Sequence, residues 1–283
     1  MTEHVLVWHP KVPGEALAGS DDSLRLIGMP TGLVRPQRQA LAADQMTPAA
    51  RAKLTEVLDA LRRHARSPGA PTRIGFENLD ENDKATIADI LGEGDVWAKV
   101  GSAQHFYRIV ESVLAGLWRL EANAADGATV EWLEVGAVPQ PILTAAAELP
   151  RAALDIPPQM PQGAMNVQPL LTELQERSAA YVPGADNHVI NFTLLPITEV
   201  DAEVMTTVLG QIPLVVKSGG YGSSRVYGTG LRHVWAVQYI NSMGAVILDT
   251  LEIGGVPVAV VAAREDFEDS AERLDEIMQA FTS

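Results

Sequence analysis

The segment SGGYGSSR (218–225) holds the residues of this chain that most suggest binding. Its glycines leave backbone N–H groups accessible, and such groups can hold a peptide or an anion. A phosphate-binding loop leads into a helix, whereas this segment leads into residues typical of a strand, which argues against nucleotide binding. A turn with a role in recognition and an ordinary turn that needs glycine for positive φ both stay open. The residues predicted to contact a partner here are Gly219, Gly220, Tyr221, Gly222 and Arg225.

The other reactive side chains form no recognisable catalytic or metal-binding pattern. The chain has no cysteine, which excludes disulfides, thiolate zinc sites and cysteine nucleophiles. Its six histidines occur in neither an H-x-x-x-H nor an H-E-x-x-H pattern. Ser223 and His233 would need an aspartate to make a hydrolase triad, and no G-x-S-x-G motif supports one. We therefore predict no catalytic residue, no metal site and no cofactor, in a protein that is not an enzyme.

Several residues recur at an offset of about 117 positions, and their types suggest structural roles. The recurring pairs are Arg108 and Arg225, Trp118 and Trp235, and Glu134 and Glu252. The tryptophans are expected in the core, because two copies share a fold but need not share a partner. Each arginine must reach water or a carboxylate. The recurring glutamates are our candidates for those carboxylates, which would make the ion pairs architectural.

A repeat this long indicates a duplicated domain, since solenoid repeats run at about 20–50 residues. We predict an α+β fold in which two tandem copies of a small sheet-plus-helices module are related by a pseudo-twofold axis. The predicted organisation is an extended N-terminal arm (1–46), a first module (47–149), a Pro-rich linker (150–167) and a second module (168–283).

Periodic patterns place the elements of both modules. Apolar residues at helical spacing predict helices over 48–64, 80–91, 168–181, 199–208 and the last 20 residues before the C-terminal dipeptide. Short apolar or alternating runs predict strands over 5–8, 73–76, 96–100, 116–121, 129–135, 189–195, 214–217, 231–240 and 245–253.

The formal net charge is −15, and the acidic excess lies beyond residue 70. This sign argues against nucleic acid as a partner, because phosphate contacts need cations. An acidic surface either favours a basic partner or keeps the protein soluble. The first residues lack the pattern of a signal peptide, and no apolar run has the length of a bilayer span. We therefore expect a cytoplasmic protein without membrane insertion.

The second module resembles hydrogenase expression/formation proteins of the HupH/HyaF/HoxQ type. The segments that carry the resemblance are HVINFTLLPIT (188–198), SGGYGSSRV (218–226), HVWAVQYINSM (233–243), ILDTLEIGGVP (247–257) and AAREDFEDSAERL (262–274). The first module matches more loosely through IVESVLAGLWRL (109–120) and LEVGAVP (133–139), and the arm through Met29-Pro30-Thr31-Gly32. Duplicated modules are usual in the family, which agrees with the repeat.

Three positions depart from the family pattern. The family usually reads S-R-G-Y-G-x-C-R, whereas this chain has Gly219 at the arginine position and Ser224 at the cysteine position. An acidic residue usual in the following turn is Gly244 here. A role that depended on the missing thiol, such as contact with a cluster, is therefore in doubt for this chain.

The resemblance implies maturation of nickel–iron hydrogenases rather than catalysis. The predicted partner is the iron–sulfur small subunit or its precursor, or another maturation protein, held near the glycine-rich loop, Asn241 and Ser242. The acidic body would also attract a basic export signal peptide. The alternative is a small-molecule-binding protein or enzyme with a pocket between the two modules.

Overall fold

The computed structural model describes residues 46–102, 104–123, 128–219 and 223–281. Except for Met46, the predicted N-terminal arm (1–46), with its strand over 5–8 and the segment 29–32, lies outside these residues, as do Gly220, Tyr221 and Gly222.

The described part of the first repeat contains three helices and five strands. They are α1 (Pro48–Arg66), β1 (Thr72–Gly75), α2 (Glu81–Leu91), β2 (Val96–Gly101), β3 (Phe106–Glu111), β4 (Leu117–Asn123), β5 (Thr129–Val135) and α3 (Gln140–Glu148). The described part of the second repeat has the same order of elements up to its last strand. They are α4 (Val167–Ala180), β6 (His188–Asn191), α5 (Glu199–Leu209), β7 (Gln211–Ser218), β8 (Ser223–Thr229), β9 (Val234–Ile240), β10 (Val246–Ile253) and α6 (Arg264–Ala280).

The equivalent helices α2 and α5 begin and end with equivalent local signals. The Asp80 carboxylate accepts a hydrogen bond from a backbone N–H of the first turn of α2 at 2.8 Å. Thr198 and Asp201 form a reciprocal capping box at the start of α5. Both helices end at a glycine, Gly92 and Gly210, with φ of 59° and 63°. Side chains with a Cβ disfavour that region, so the sequence itself ends both helices there.

All ten strands form one antiparallel sheet in the order β1-β5-β4-β3-β2-β7-β8-β9-β10-β6. From the centre of the sheet to either edge, the equivalent strands of the two repeats therefore occur in the same order. At the centre β2 pairs with β7, from Val96 opposite Ser218 to Val100 opposite Leu214. The sequence predicted two small sheets, but this pairing joins them into one. The α+β class is confirmed.

Among the described residues, helices and turns cover the middle of the sheet on one face only. Side chains alternate along a strand, so Trp97 and Lys99 of β2 point to one face, the front face, and Ala98 and Val100 to the other, the back face. On the back face, α3 and the short 3-10 turn Val258–Val260 cover an apolar cluster built from the central strands of both repeats.

On the front face, helices cover the two ends of the sheet. α1, α2 and α6 pack over the apolar side chains of β1 and β5, and α4 and α5 pack over those of β9 and β10. The front of the central strands therefore lies between two helical layers.

Each repeat packs against a segment that follows the strands of the other repeat in the chain. Helix α6 packs on α1 of the first repeat through Phe267 and Leu274, and Asp275 forms an ion pair with Arg62 at 2.9 Å. The segment before α4 packs on the second repeat through Leu154, and Arg151 donates to the Val208 carbonyl oxygen at 2.8 Å. Each repeat thus packs against the end segment of the other repeat.

Three elements differ from the sequence expectations. The strand predicted over 189–195 ends at Asn191, because Phe192 turns into the core in a 3-10 turn. Strand β3 and helix α3 were not predicted. Helix α3 is short and begins after Pro139, so its sequence shows only a weak amphipathic pattern. Within the part of the chain that the structure describes, no helix combines the length and apolar character needed to cross a membrane.

Candidate functional site

The glycine-rich loop connects β7 and β8 next to the central junction of the sheet. Lys217 lies opposite Arg225 and Ser218 opposite Ser224 in this hairpin. The Gly219 N–H donates to the carbonyl oxygen of Asp95, just before β2, at 2.8 Å. The loop of the second repeat is thereby attached to the first repeat. The structure brings Gly219 and Arg225 together, and the other three predicted loop residues lie outside its described part.

The turn that contains Asn241 and Ser242 lies at the same end of the sheet. It follows β9, whose last residue Ile240 is opposite Ser223, the first residue of β8. The Asn241 side-chain oxygen accepts hydrogen bonds from the N–H groups of residues 243 and 245 at 3.0 and 2.9 Å. Asn241 therefore shapes the turn, whereas Ser242 is exposed.

A depression lies between the β7–β8 loop and the start of β2. Residues of both repeats line it: Asp95, Trp97, Lys217, Ser218, Gly219, Ser223, Ser224, Arg225, Ile240 and Gly244. Sequence patterns had not indicated Asp95, Trp97 or Lys217 as site residues, and the pairing of β2 with β7 brings them to this place.

Ser224 and Arg225 point to opposite faces of the sheet. Arg225 is on the front face, and Ser224 is on the back face with 5% exposure. The thiol that the family usually has at position 224 would therefore face the interior in this fold. This geometry favours a packing role for position 224 over contact with an external cluster.

Four cations cross the front of the central strands, and we call them the basic stripe: Lys99, Arg108, Lys217 and Arg225. Lys99 of β2 lies directly opposite Arg108 of β3, and Lys217 of β7 directly opposite Arg225 of β8. Arg108 and Arg225 were selected from the repeat. The lysines, which were not selected, recur at an offset of 118 residues and are therefore equivalent in the two repeats.

Aromatic rings and carboxylates surround the basic stripe. The Lys99 Nζ lies 5.3 Å from the centre of the Phe106 ring, and the Lys217 Nζ lies 4.9 Å from that of Trp97. Such cation–π contacts position the ammonium groups. Arg108 Nη1 is 3.8 Å from Glu121 Oε2. Burial raises the pKa of Tyr227, a neighbour of Arg225, so its hydroxyl stays protonated at neutral pH.

The expected ion pairs between the recurring arginines and glutamates are not what the structure shows. Glu134 accepts hydrogen bonds from Trp132 Nε1 at 2.8 Å and from the N–H of Gln140 at 2.7 Å. Arg108 is on the front face and Glu134 on the back face, so the sheet separates them. The same alternation places Arg225 on the front face and Glu252 on the back face.

The recurring tryptophans and Glu252 lie in buried surroundings of the back face. Trp118 and Trp235 are 1% and 4% exposed in the apolar cluster beneath α3. Trp118 Nε1 donates to the Gly136 carbonyl oxygen at 2.8 Å. Glu252 accepts a hydrogen bond from Asn187 at 3.3 Å, and burial raises the pKa of its carboxyl.

The residues considered for a hydrolase triad are far apart. Ser223 begins β8, whereas His233 precedes β9 at the opposite end of the sheet. Strand β8 of 7 residues separates them, which corresponds to about 20 Å. Among the residues that the structure describes, no three His, Asp or Glu side chains are grouped as metal ligands.

Known proteins resemble this chain along most of its length. The HupH hydrogenase expression protein C-terminal conserved region matches residues 47–157 and again 164–281, which supports the duplication. A hydrogenase expression/formation protein HupH of Rhizobium leguminosarum bv. viciae is 38% identical over 231 residues, 81% of this chain and 80% of that protein. The HupH protein of Rhodobacter capsulatus is 41% identical over 212 residues, 75% of this chain and 74% of that protein.

A third relative matches a larger share of the chain. The hydrogenase expression/formation protein HoxQ of Cupriavidus necator is 35% identical over 275 residues, 94% of each chain. The resemblance identified from the second repeat is confirmed. With both repeats matched and the relatives covered nearly throughout, the chain belongs to the HupH hydrogenase expression protein family.

Proposed function

We propose that this protein is a non-enzymatic assembly factor that holds the iron–sulfur small subunit of a nickel–iron hydrogenase, or the precursor of that subunit, in the cytoplasm. Its relatives are described as hydrogenase expression/formation proteins, which supports a role in hydrogenase maturation. Holding requires a surface rather than a reaction centre. The factor covers part of its client until assembly proceeds.

The proposed contact surface is the sheet end that carries the β7–β8 loop and the β9–β10 turn. It comprises Gly219, Gly220, Tyr221, Gly222, Arg225, Asn241 and Ser242. The observation that carries this choice is the hydrogen bond from Gly219 to Asp95 at 2.8 Å. Because it ties the loop to the first repeat, a client at the loop would contact both repeats.

The two repeats would be related by a pseudo-twofold axis through the β2–β7 junction. The support is the strand order, which runs outward from this junction identically in both repeats. An axis there would place the basic stripe symmetrically around it, with Lys99 equivalent to Lys217 and Arg108 equivalent to Arg225. The module boundaries at 149 and 168 belong to the same proposal.

The alternative function is binding of a small molecule in the depression at the junction. Its support is the lining, which combines Asp95 and Trp97 of the first repeat with Lys217 and Arg225 of the second. A further maturation protein is the alternative partner to the small subunit.

A capture experiment tests the proposed function. The tagged wild-type protein, Tyr221→Ala and Arg225→Ala are expressed with the cognate hydrogenase genes and recovered under identical conditions. Arg177→Ala is the matched control, because Arg177 is a half-exposed cation on α4 that pairs with Glu173 at 2.7 Å. We expect the small-subunit precursor with the wild type and the control, and less with the two loop variants. Recovery of no hydrogenase component with the wild type would contradict the function.

A further inference from the structure

The two outer edges of the sheet carry different side chains. Among the described strands, β1 and β6 are the outermost, and they pair with β5 and β10. We propose that the edge formed by β6 and the connection after it binds an extended apolar segment of the client polypeptide, flanked by Lys or Arg, as an added strand. This inference rests on the proposed function in assigning the segment to the client. It adds the place and the chemistry of a second contact.

The two repeats differ at one equivalent position of their edge strands. Arg73 of β1 lies opposite Glu134, and Val189 of β6 lies opposite Glu252. Because these glutamates are equivalent in the two repeats, Arg73 and Val189 are equivalent too. Both side chains are exposed, Val189 to 52%. A charge on an edge strand discourages the pairing of a further strand. The first repeat has this protection, and the second has an apolar side chain in its place.

The connection after the edge strand is apolar only in the second repeat. In the first repeat, the connection from β1 to α2 exposes Glu77 and Asn78. The connection from β6 to α5 is two residues longer and exposes Leu194 and Leu195, with Leu194 77% exposed. Two leucines in water are unfavourable for a protein that leaves them uncovered. The second edge therefore has the character of a binding surface, and the first edge has not.

This surface adjoins the turn already proposed as a client contact. The Asp249 N–H donates to Thr193 Oγ1 at 2.8 Å, which attaches the connection after β6 to β10. Ile247, two residues before Asp249, is exposed and follows the β9–β10 turn that contains Asn241 and Ser242. A client bound at this turn can therefore extend along the edge. We call the following four residues the apolar edge: Val189, Leu194, Leu195 and Ile247.

The charge around the apolar edge favours a segment with a basic flank. From the start of α4 to the end of α5, residues 167–209 contain one cation, Arg177. The same range contains six carboxylates, those of Glu173, Glu176, Asp186, Glu199, Asp201 and Glu203. Apolar side chains on alternate positions of an added strand would contact the edge, and Lys or Arg beside them would complement its negative surroundings.

Two other occupants match this charge less well. The N-terminal segment 1–46 contains five carboxylates and four cations, and a second copy has a net charge of −15. Neither complements the negative charge of residues 167–209. Pairing of two apolar edges would also bring the carboxylates of this range towards those of the second copy. These charges favour a basic segment of the client.

Fluorescence anisotropy with synthetic probes tests the proposal on the full-length protein. The first probe is a labelled eight-residue peptide in which two Lys precede alternating Val and Thr. The second probe has Glu in place of both Lys. The third has N-methyl groups on alternate residues, which remove the backbone donors of one side of the added strand. We expect the first probe to bind, and the other two to bind at least about tenfold more weakly.

The first repeat supplies the test variant. Val189→Arg gives the second edge the residue of the first and should weaken binding of the first probe at least about tenfold, because the cation repels its Lys residues. Leu194→Asn removes an apolar contact without adding charge and should weaken binding about fivefold. Val130→Arg is the matched control, since Val130 is an exposed valine of β5, and should leave the affinity unchanged. If Val189→Arg lowers the thermal unfolding midpoint, Leu194→Asn decides.

A single cysteine identifies the occupant of the apolar edge. The chain has no cysteine, so Ile247→Cys carries a benzophenone maleimide at one site only. After illumination we expect crosslinks to the first probe and, in a mixture with the small-subunit precursor, to that precursor. Crosslinks to residues 1–46 or to a second copy in their place would overturn the inference.

The remaining outcomes separate this inference from the proposed function. Equal affinity of the three probes, or of Val189→Arg and the wild type, would refute strand addition at the apolar edge. Capture of equal amounts of the small-subunit precursor by wild type and Val189→Arg would refute the inference and leave the proposed function intact. Binding of the first probe without capture of any hydrogenase component would contradict the proposed function, while the peptide site itself would be confirmed.

Discussion

Glu111 and Gly116 are joined by a hydrogen bond across the turn between β3 and β4, with Glu111 Oε1 accepting from the Gly116 N–H at 3.0 Å. Burial raises the pKa of the Glu111 carboxyl to about 7, more than this bond lowers it, and the carboxylates of Asp266 and Asp95 raise it further. Because Asp266 lies in the first turn of α6, this carboxyl lies where the C-terminal helix meets the first repeat.

The titration of Glu111 should make stability depend on pH. Its folded-state pKa of about 7 lies above the ordinary 4.5, so the folded protein binds this proton more tightly than the unfolded chain. The stabilisation is therefore complete below about pH 4.5 and is lost as the pH rises through about 7, by up to about 3 kcal/mol.

Denaturant unfolding at several pH values measures this effect. We expect Glu111→Gln to gain stability relative to the wild type by about 2–3 kcal/mol between pH 5 and pH 8. The exposed Glu176→Gln is the control and should show a constant difference. A constant difference for Glu111→Gln as well would show that position 111 does not titrate in this range.

Gly116 should tolerate no larger residue. Its φ is 77°, and a Cβ there would overlap the Phe267 ring of α6. We expect Gly116→Ala to lower the free energy of unfolding by about 3 kcal/mol, from backbone strain and loss of packing. Gly184→Ala is a matched control, because its φ is 90° with no atom within 4 Å of the added Cβ. It should lose only the strain, about 1 kcal/mol, and equal losses at both sites would contradict the role of Phe267.

Glu134 should be essential for the back face although it is not an ion-pair partner. Removing its carboxylate in Glu134→Ala leaves the buried Trp132 Nε1–H and the backbone N–H of Gln140 without their acceptor. We expect a loss of about 2–4 kcal/mol in chemical unfolding. Glu134→Gln retains one acceptor and should lose less. The exposed Glu148→Ala, at the end of α3, should be neutral, and a neutral Glu134→Ala would refute this role.

A cysteine at position 224 should be inaccessible. The chain has no cysteine, so a single variant reports on one site only. Ser224 is 5% exposed on the back face, and the Ser224→Cys thiol should react with an aromatic disulfide reagent at least about a hundredfold more slowly than in denaturant. Ser242→Cys, in the exposed turn, should react at the denatured rate. Rapid reaction of the folded Ser224→Cys protein would restore the possibility that this position contacts a partner.

Local signals made much of the secondary structure predictable. Thr47, Asp80 and Thr198 identify the starts of three helices, and Gly92 and Gly210 the ends of two, because capping and positive φ depend on neighbouring residues only. Strand β3 was missed although its residues are apolar and β-branched or aromatic in part. Its own sequence does not show that it pairs with a strand on each side, β2 and β4.

Only part of the candidate site could be predicted from the sequence. The glycine-rich loop and Arg225 were selected from residue types, and Arg108 from the repeat. Trp97 and Asp95 were not selected, because they reach the loop through a pairing between residues more than 110 positions apart. Pairing between strands so far apart in the sequence depends on the relative free energies of whole folds rather than on any local pattern.

The sequence alone determined that the chain is a duplicated α+β protein of the HupH type. Residue identities at a fixed offset and family motifs can both be recognised without a structure. Only the tertiary structure decided that one sheet unites the repeats, that α6 packs on the first repeat, and that Arg108 and Glu134 are on opposite faces. Alternation of side chains fixes which residues of a strand share a face, but the pairing register fixes which residues of different strands meet. That register places Lys99 opposite Arg108 and Lys217 opposite Arg225, and it offsets the two cation pairs by two residues across the β2–β7 junction.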